Sequence, residues 1–174
     1  MRVANVLHDS TVDGVGLRTV VFFQGCSHNC PGCHNPESHS KRKGHRWSPE
    51  KLLEEVSKGG ISGKLTLSGG EPLEQDHAQL IEFIRLYKKR CKEAGVNSNI
   101  WIYSGKMYTF EELSDKSTTS QILKMCNYLV DGPFVLSLKK ELPFRGSSNQ
   151  RIINLKKTYG AKKIVVDKKL MNAK

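Results

Sequence analysis

Long apolar runs are missing from this 174-residue chain. The longest, Val20-Val21-Phe22-Phe23, is far short of the roughly 20 residues that a membrane-spanning helix needs. No secretory leader is expected either, because Arg2 is followed by polar His8, Asp9 and Ser10 where a signal peptide carries its apolar stretch. Internal repeats are absent, which excludes solenoids and propellers. Acids are scarce, with 17 Asp and Glu against 28 Lys and Arg and a formal charge of +11. An acidic or neutral surface is thereby excluded, and partners of negative charge are favoured. Cysteines are few and odd in number, five in all, and a disulfide framework accounts for them poorly. A reducing, cytoplasmic setting is expected.

The remaining composition suits one globular domain spanning 1–174, large enough to bury a core without staples. Its cations are concentrated in Arg85, Lys88, Lys89, Arg90 and Lys92, and again in a basic C-terminal segment from about 156, where Asp167 is the lone acid. Lysine runs are commonly a solvated face, so nucleic acid is not the expected partner and no membrane is implied.

Hydrophobic period and punctuation predict alternating strands and helices, the α/β pattern with parallel strands. Strands are expected at 3–7, 19–23, 64–67, 99–103, 127–130 and 162–166. One helix is expected after Ser48 as its cap, with Pro49 in its first turn and Trp47 stapled to Leu52, ending at Lys58-Gly59-Gly60. A second runs from about Asp76 to Ala94, burying Leu80, Ile81, Ile84, Tyr87 and Cys91, and stops at Gly95. Cys91 and Cys126 read as inert core thiols.

The chemistry resides in Cys26-Ser27-His28-Asn29-Cys30-Pro31-Gly32-Cys33. Three thiolates within eight residues can converge on a compact metal centre with one coordination position open, whereas a structural zinc site closes its tetrahedron with a fourth protein ligand. His28, His34 or His39 could supply that fourth ligand, so a zinc-bearing nucleic-acid-binding module stands as the alternative of a different class. Ser68-Gly69-Gly70-Glu71-Pro72 follows the strand at 64–67; its bare glycines let a ligand touch backbone, and Glu71 offers a carboxylate to an ammonium group. Ser104-Gly105-Lys106 and Asp131-Gly132-Pro133-Phe134 follow two further strands. All four segments fall at strand carboxyl ends, where α/β sheets bind ligands. Asp13-Gly14-Val15-Gly16-Leu17-Arg18 opens a strand rather than a helix, so it reads as a turn and not a dinucleotide loop.

CxxxCxxC followed by GGEP resembles the radical S-adenosylmethionine enzymes. Asp13-Gly14-x-Gly16-x-Arg18 leading into Phe22-Phe23-Gln24-Gly25-Cys26 narrows the resemblance to activases of glycyl radical enzymes. Cys30-Pro31-Gly32-Cys33-His34-Asn35, Tyr103-Ser104-Gly105, Asp131-Gly132-Pro133-Phe134 and Arg145-Gly146-Ser147-Ser148-Asn149-Gln150-Arg151 are similar to the subgroup that activates anaerobic ribonucleoside-triphosphate reductase. The resemblance implies a shortened, incomplete (β/α) barrel and one 4Fe-4S cluster on Cys26, Cys30 and Cys33. It further implies S-adenosylmethionine held by Gly69, Gly70, Glu71 and Pro72, with adenine against the backbone near Gly32, Cys33 and His34. A reductase glycyl radical subunit and a flavodoxin or ferredoxin-like electron donor are the implied partners. Asp13, Arg18, Asp131, Asn149, Gln150 and Arg151 are implied to touch partner or substrate, or to brace a loop. Where many members of the family carry an aromatic residue before the third cysteine, this chain has Gly32. Another small member of the family, such as a 7-carboxy-7-deazaguanine synthase, is the alternative within it.

Overall fold

The structure is a computed structural model and describes residues 1–172; Ala173 and Lys174, the end of the basic segment, lie outside the described residues. In chain order it comprises β1 (Arg2–Ser10), β2 (Arg18–Phe23), β3 (His45–Arg46), α1 (Pro49–Ser57), β4 (Lys64–Gly69), α2 (His77–Glu93) and β5 (Asn99–Ser104). Then follow α3 (Phe110–Ser114), α4 (Thr118–Lys124), β6 (Tyr128–Asp131), β7 (Lys139–Leu142), β8 (Arg145–Ser147), β9 (Arg151–Asn154), α5 (Leu155–Ala161) and α6 (Lys168–Met171).

Seven strands form one sheet in the order β3-β1-β2-β4-β5-β6-β9, and β7 and β8 form a separate hairpin. The central pairs β2–β4, β4–β5 and β5–β6 are parallel, as the alternating pattern requires. The flanking pairs β1–β2, β1–β3 and β6–β9 are antiparallel, so the expectation of parallel strands throughout gives way to a mixed sheet. Among the described residues β3 and β9 do not pair with each other, and the sheet is open.

The two faces of the sheet bury different things. Val21, Phe23, Leu65, Leu67, Ile100, Ile102 and Leu129 point into the main core, where Leu52 and Val56 of α1 and Leu80, Phe83, Ile84, Tyr87 and Cys91 of α2 meet them. Strand residues two apart share a face, so alternate positions form the other side: Trp101, Val130 and Ile152, with Tyr103, Tyr128 and Phe144 packed against them. Trp101 lies 4.8 Å from Tyr128 and 5.4 Å from Phe144, ring centre to ring centre.

Both expected helices form for the expected reasons. The Ser48 side chain accepts from Lys51 N, with Pro49 in the first turn of α1, and Trp47 packs on the core that contains Leu52. Asp76 caps α2 by accepting from Gln79 N. Phe83 joins the buried stripe, while Ile81 is only partly buried. The strand expected at 162–166 does not form: α5 ends at Lys162 in the left-handed region (φ 51°), and only Val166 bridges to Ile153. The edge position goes instead to β9, whose short, mixed sequence Arg151-Ile152-Ile153-Asn154 carries little periodic signal. No helix among the described residues is long and apolar enough to cross a membrane.

Candidate functional site

The cysteine loop leaves the end of β2 between two supports. On one side Gly25 N donates to Ser38 O (2.7 Å) and Cys26 N to His39 O (3.2 Å), while buried Gln24 donates through Nε2 to Glu37 O and Ser40 O, both at 2.8 Å. On the other, Glu71 N donates to Gly25 O (2.9 Å) and Gly70 N to Phe23 O (2.8 Å). This approach explains the two glycines. Gly69 has φ 95°, and a Cβ there would strike Phe23 N; one on Gly70 would strike Gly25 O.

Glu71 is 3% exposed and fully engaged by the protein. One oxygen accepts from Leu73 N (3.1 Å); the other accepts from Ser104 Oγ (3.1 Å) and Gly105 N (2.8 Å) and lies 2.9 Å from His28 Nε2. The hydrogen bond to Glu71 raises the His28 pKa against the opposing effect of burial. Glu71 therefore ties the cysteine loop, the GGEP turn and the end of β5 together. Glu74 adds a second tie, accepting from Ser27 N (3.1 Å) and Ser27 Oγ and pairing with Lys41 (3.0 Å). Glu74 escaped the sequence reading because an acid three residues after Glu71 looks like any helix-start carboxylate.

Cys26, Cys30 and Cys33 are free, partly buried thiols, and they line one cavity of about 150 Å³ with His28, His39 and Ser68-Gly69-Gly70. Partial burial raises the Cys26 pKa. Among the described residues no three His, Cys, Asp or Glu side chains are gathered as a site for a metal ion. An all-thiolate donor set spread around a cavity suits a body several atoms wide, an iron–sulfur cluster, which takes cysteine thiolates as its ligands. The cavity shares Cys33, Ser68, Gly69, Tyr103, Phe134 and Gln150 with a neighbouring one of about 390 Å³, which reaches Asp13, His34 and Arg145. That neighbour has the size of a small-molecule site.

The roof is built after β6. The ring of Phe134 stands 5.1 Å from that of His34, and Leu136, 54% exposed, sits over Gly32. Asn149 Nδ2 donates to Pro133 O (2.8 Å), Gln150 Nε2 to Gly132 O (3.0 Å) and Val135 N to Ser147 Oγ (3.2 Å), so Asn149 and Gln150 hold this roof by its backbone. Asp131, fully buried, accepts from Tyr108 N (2.9 Å) and from Arg151 (2.5 Å), its antiparallel neighbour across the β6–β9 pair. The same hydrogen bond raises the Arg151 pKa. Pro72 is buried at the start of a short 3₁₀ turn.

Arg18 lies at the opposite end of β2, 1% exposed. It donates to Thr66 Oγ1 (2.8 Å), Leu65 O (2.7 Å), Asn99 O (2.8 Å) and Val15 O (3.1 Å) and stands over the Trp101 ring. Burial pulls its pKa down to about 10. Asp13 accepts from Ser10 Oγ (2.5 Å) and offers its carbonyl to Thr66 Oγ1 (2.8 Å). Arg18 and Asp13 thus fasten the 11–17 turn across the inner face as a floor, and of the two only Asp13 lines the cleft.

Comparison with known proteins points to a cluster of the same kind. Residues 12–153 match a family described as a 4Fe-4S single cluster domain. The chain is 34% identical over 150 residues to the anaerobic ribonucleoside-triphosphate reductase-activating protein of Salmonella typhi, and 33% identical over the same length to that of Escherichia coli K12; 83% of the chain and 93% of each relative are covered. The protein of that name from Enterobacteria phage T4 is 33% identical over 145 residues, 81% of the chain and 86% of the relative.

Proposed function

The chain belongs to the family of anaerobic ribonucleoside-triphosphate reductase-activating proteins, with its 4Fe-4S single cluster domain, and we infer that it is the enzyme that installs a glycyl radical on such a reductase. The observation that carries the reading is the cavity shared by Cys26, Cys30 and Cys33 with Ser68-Gly69-Gly70 at the strand carboxyl ends.

In this reading Cys26, Cys30 and Cys33 would hold one 4Fe-4S cluster, with S-adenosylmethionine beside it. When bound and reduced, the cluster with S-adenosylmethionine would supply one-electron radical chemistry directed at a glycine of the reductase. The protein supplies geometry and dryness. Gly69 and Gly70 expose backbone to the methionine end, and Pro72 with the engaged Glu71 keeps that turn in shape. Gly32, Cys33 and His34 face the adenine end, with Phe134 and Leu136 as its apolar wall. Asn149, Gln150, Asp131 and Arg151 are positioning residues for the roof, and Arg18 and Asp13 for the floor. The open sheet is read as a shortened barrel in a single domain, whose unpaired side admits the reductase's glycine loop to the reacting distance of about 3–3.5 Å. A flavodoxin or ferredoxin-like donor would supply the electron, and the five free thiols support a reducing, cytoplasmic setting.

The test is anaerobic reconstitution with iron and sulfide. The wild type should take up about four irons per chain and, after reduction with S-adenosylmethionine and the reductase, give a glycine-centred paramagnetic resonance signal. Cys30→Ala should stay folded yet lose both. A competent cluster with no radical on the reductase would reject the assigned substrate, and a colourless zinc protein would reject the cluster.

A further inference from the structure

The two basic runs of the sequence lie far apart in the chain, and neither takes part in the cysteine cleft. Tertiary structure brings them together. Lys88 from the first run, in α2, and Lys156 from the second, in α5, line one cavity of about 310 Å³ with Lys124 at the end of α4. Ser98 and Asn127, the residues just before β5 and β6, line it too. The cavity therefore sits at the amino edge of the parallel strands, the end opposite the cysteine loop.

Its chemistry is one-sided. No carboxylate lines the cavity, and among the described residues none of Lys88, Lys124 and Lys156 has an acidic partner within salt-bridge distance. Other lysines of this chain do find one, as Lys89 finds Glu93 and Lys106 finds Glu112. Lys88 is half-buried. Asn127 turns its Oδ1 to Ile100 N (2.7 Å), which leaves its Nδ2 donors free of that bond. Lys124 Nζ also reaches Asp115 O (3.4 Å), so three ammonium groups, one of them partly engaged, stand with an amide and a hydroxyl around a concave surface that Met125, Cys126 and Tyr159 complete, and they concentrate positive potential there. An anion that carries several charges and accepts several hydrogen bonds relieves it.

We propose that this cavity binds a condensed phosphate chain, the triphosphate of a nucleotide or its inorganic equivalent, at a site separate from the cysteine cleft. A single phosphate has too little charge for three lysines, and a cavity suits a small polyanion better than a flat protein face.

The test is calorimetric titration of the full-length chain with tripolyphosphate, ATP and adenosine at about 0.15 M salt. Saturable one-to-one binding of tripolyphosphate is expected, with Lys88→Ala and Lys156→Ala each weakening it about tenfold, and adenosine not binding. Lys88→Met, which keeps an apolar stem of similar length and removes the ammonium, should weaken binding equally and so separates lost charge from disturbed packing. ATP binding tighter than tripolyphosphate identifies a nucleotide as the source, and equal binding identifies the phosphate chain alone. Absence of saturable binding overturns the proposal. So does an equal loss in Lys89→Ala, one residue along α2, because net charge and not the cavity would then be responsible.

Discussion

Leu136 occupies the place where a side chain on Gly32 would stand. A Cβ built on Gly32, whose φ is 73°, would lie 2.8 Å from Leu136 Cδ1 and 3.2 Å from Cδ2. The cysteine loop carries no side chain at this position, and a leucine from the segment after β6 fills the space above it.

Gly32→Phe should consequently destabilise the protein by about 1–3 kcal/mol through crowding, read as a lowered melting temperature. Adding Leu136→Ala should recover the crowding part of that loss and leave the strain of a side chain at φ 73°. Leu136→Ala alone, at a half-exposed residue, should cost little stability but raise the Kd for S-adenosylmethionine about fivefold, the worth of about 1 kcal/mol of apolar contact. Unchanged affinity in Leu136→Ala would remove Leu136 from the cofactor wall.

The buried Asp131 carboxylate is neutralised by Arg151 and receives Tyr108 N. Asp131→Ala should cost about 3 kcal/mol in urea unfolding, since it leaves a cation and an amide without their acceptor while Arg151 keeps some access to water. Combining it with Arg151→Met should cost less than the sum of the two single changes. Strict additivity would show that the pair is not coupled.

Thiol chemistry separates the cysteines into two sets. Burial pushes Cys126 up to about 12 and also raises Cys91 and Cys26. Cluster-free protein treated with iodoacetamide at about pH 8 should be modified at Cys30 and Cys33 first and at Cys26 more slowly, with Cys91 and Cys126 modified only on unfolding. Peptide mass spectrometry reads the order directly, and early labelling of Cys126 would contradict its burial.

Acid should loosen the cysteine loop through Glu74. Partial burial works to raise its pKa, but the Ser27 hydroxyl, Lys41 and the Ser27 amide outweigh it, and the group titrates below the ordinary carboxylate value of 4.5. A depressed folded pKa means that the ionised carboxylate stabilises the loop above the unfolded value and that this support is lost as pH falls through the folded one. Hydrogen exchange at Ser27 N should accelerate, relative to the intrinsic rate, between about pH 5 and pH 3. Glu74→Gln should abolish that acid-dependent step, and its persistence in the variant would assign the step elsewhere.

How much of this is legible without coordinates depends on the range of the interaction. Ser48 and Asp76 announce their helices because capping is settled within four residues, and the core stripe of α2 repeats with the helix period. The carboxyl-edge position of the cysteine, GGEP, Ser104 and Asp131 segments follows from strand order along the chain. β9 was hidden because pairing to β6 is decided by a partner about 20 residues or more away, and the apolar run at 162–166 looked the better strand although it meets the outer edge of β9 only at the Val166–Ile153 bridge.

The three thiols, their spacing and the glycines that let a ligand reach backbone were determined by the sequence itself, because metal and backbone chemistry depend on residue type and local reach. Which groups surround them was decided only by the tertiary structure. Glu71 proved to be a tie between three segments, Leu136 to stand in for a side chain 104 positions earlier, and Lys88 to meet Lys156 across the far edge of the sheet. Those relationships arise from packing between elements distant in the chain, where no local pattern records the partner.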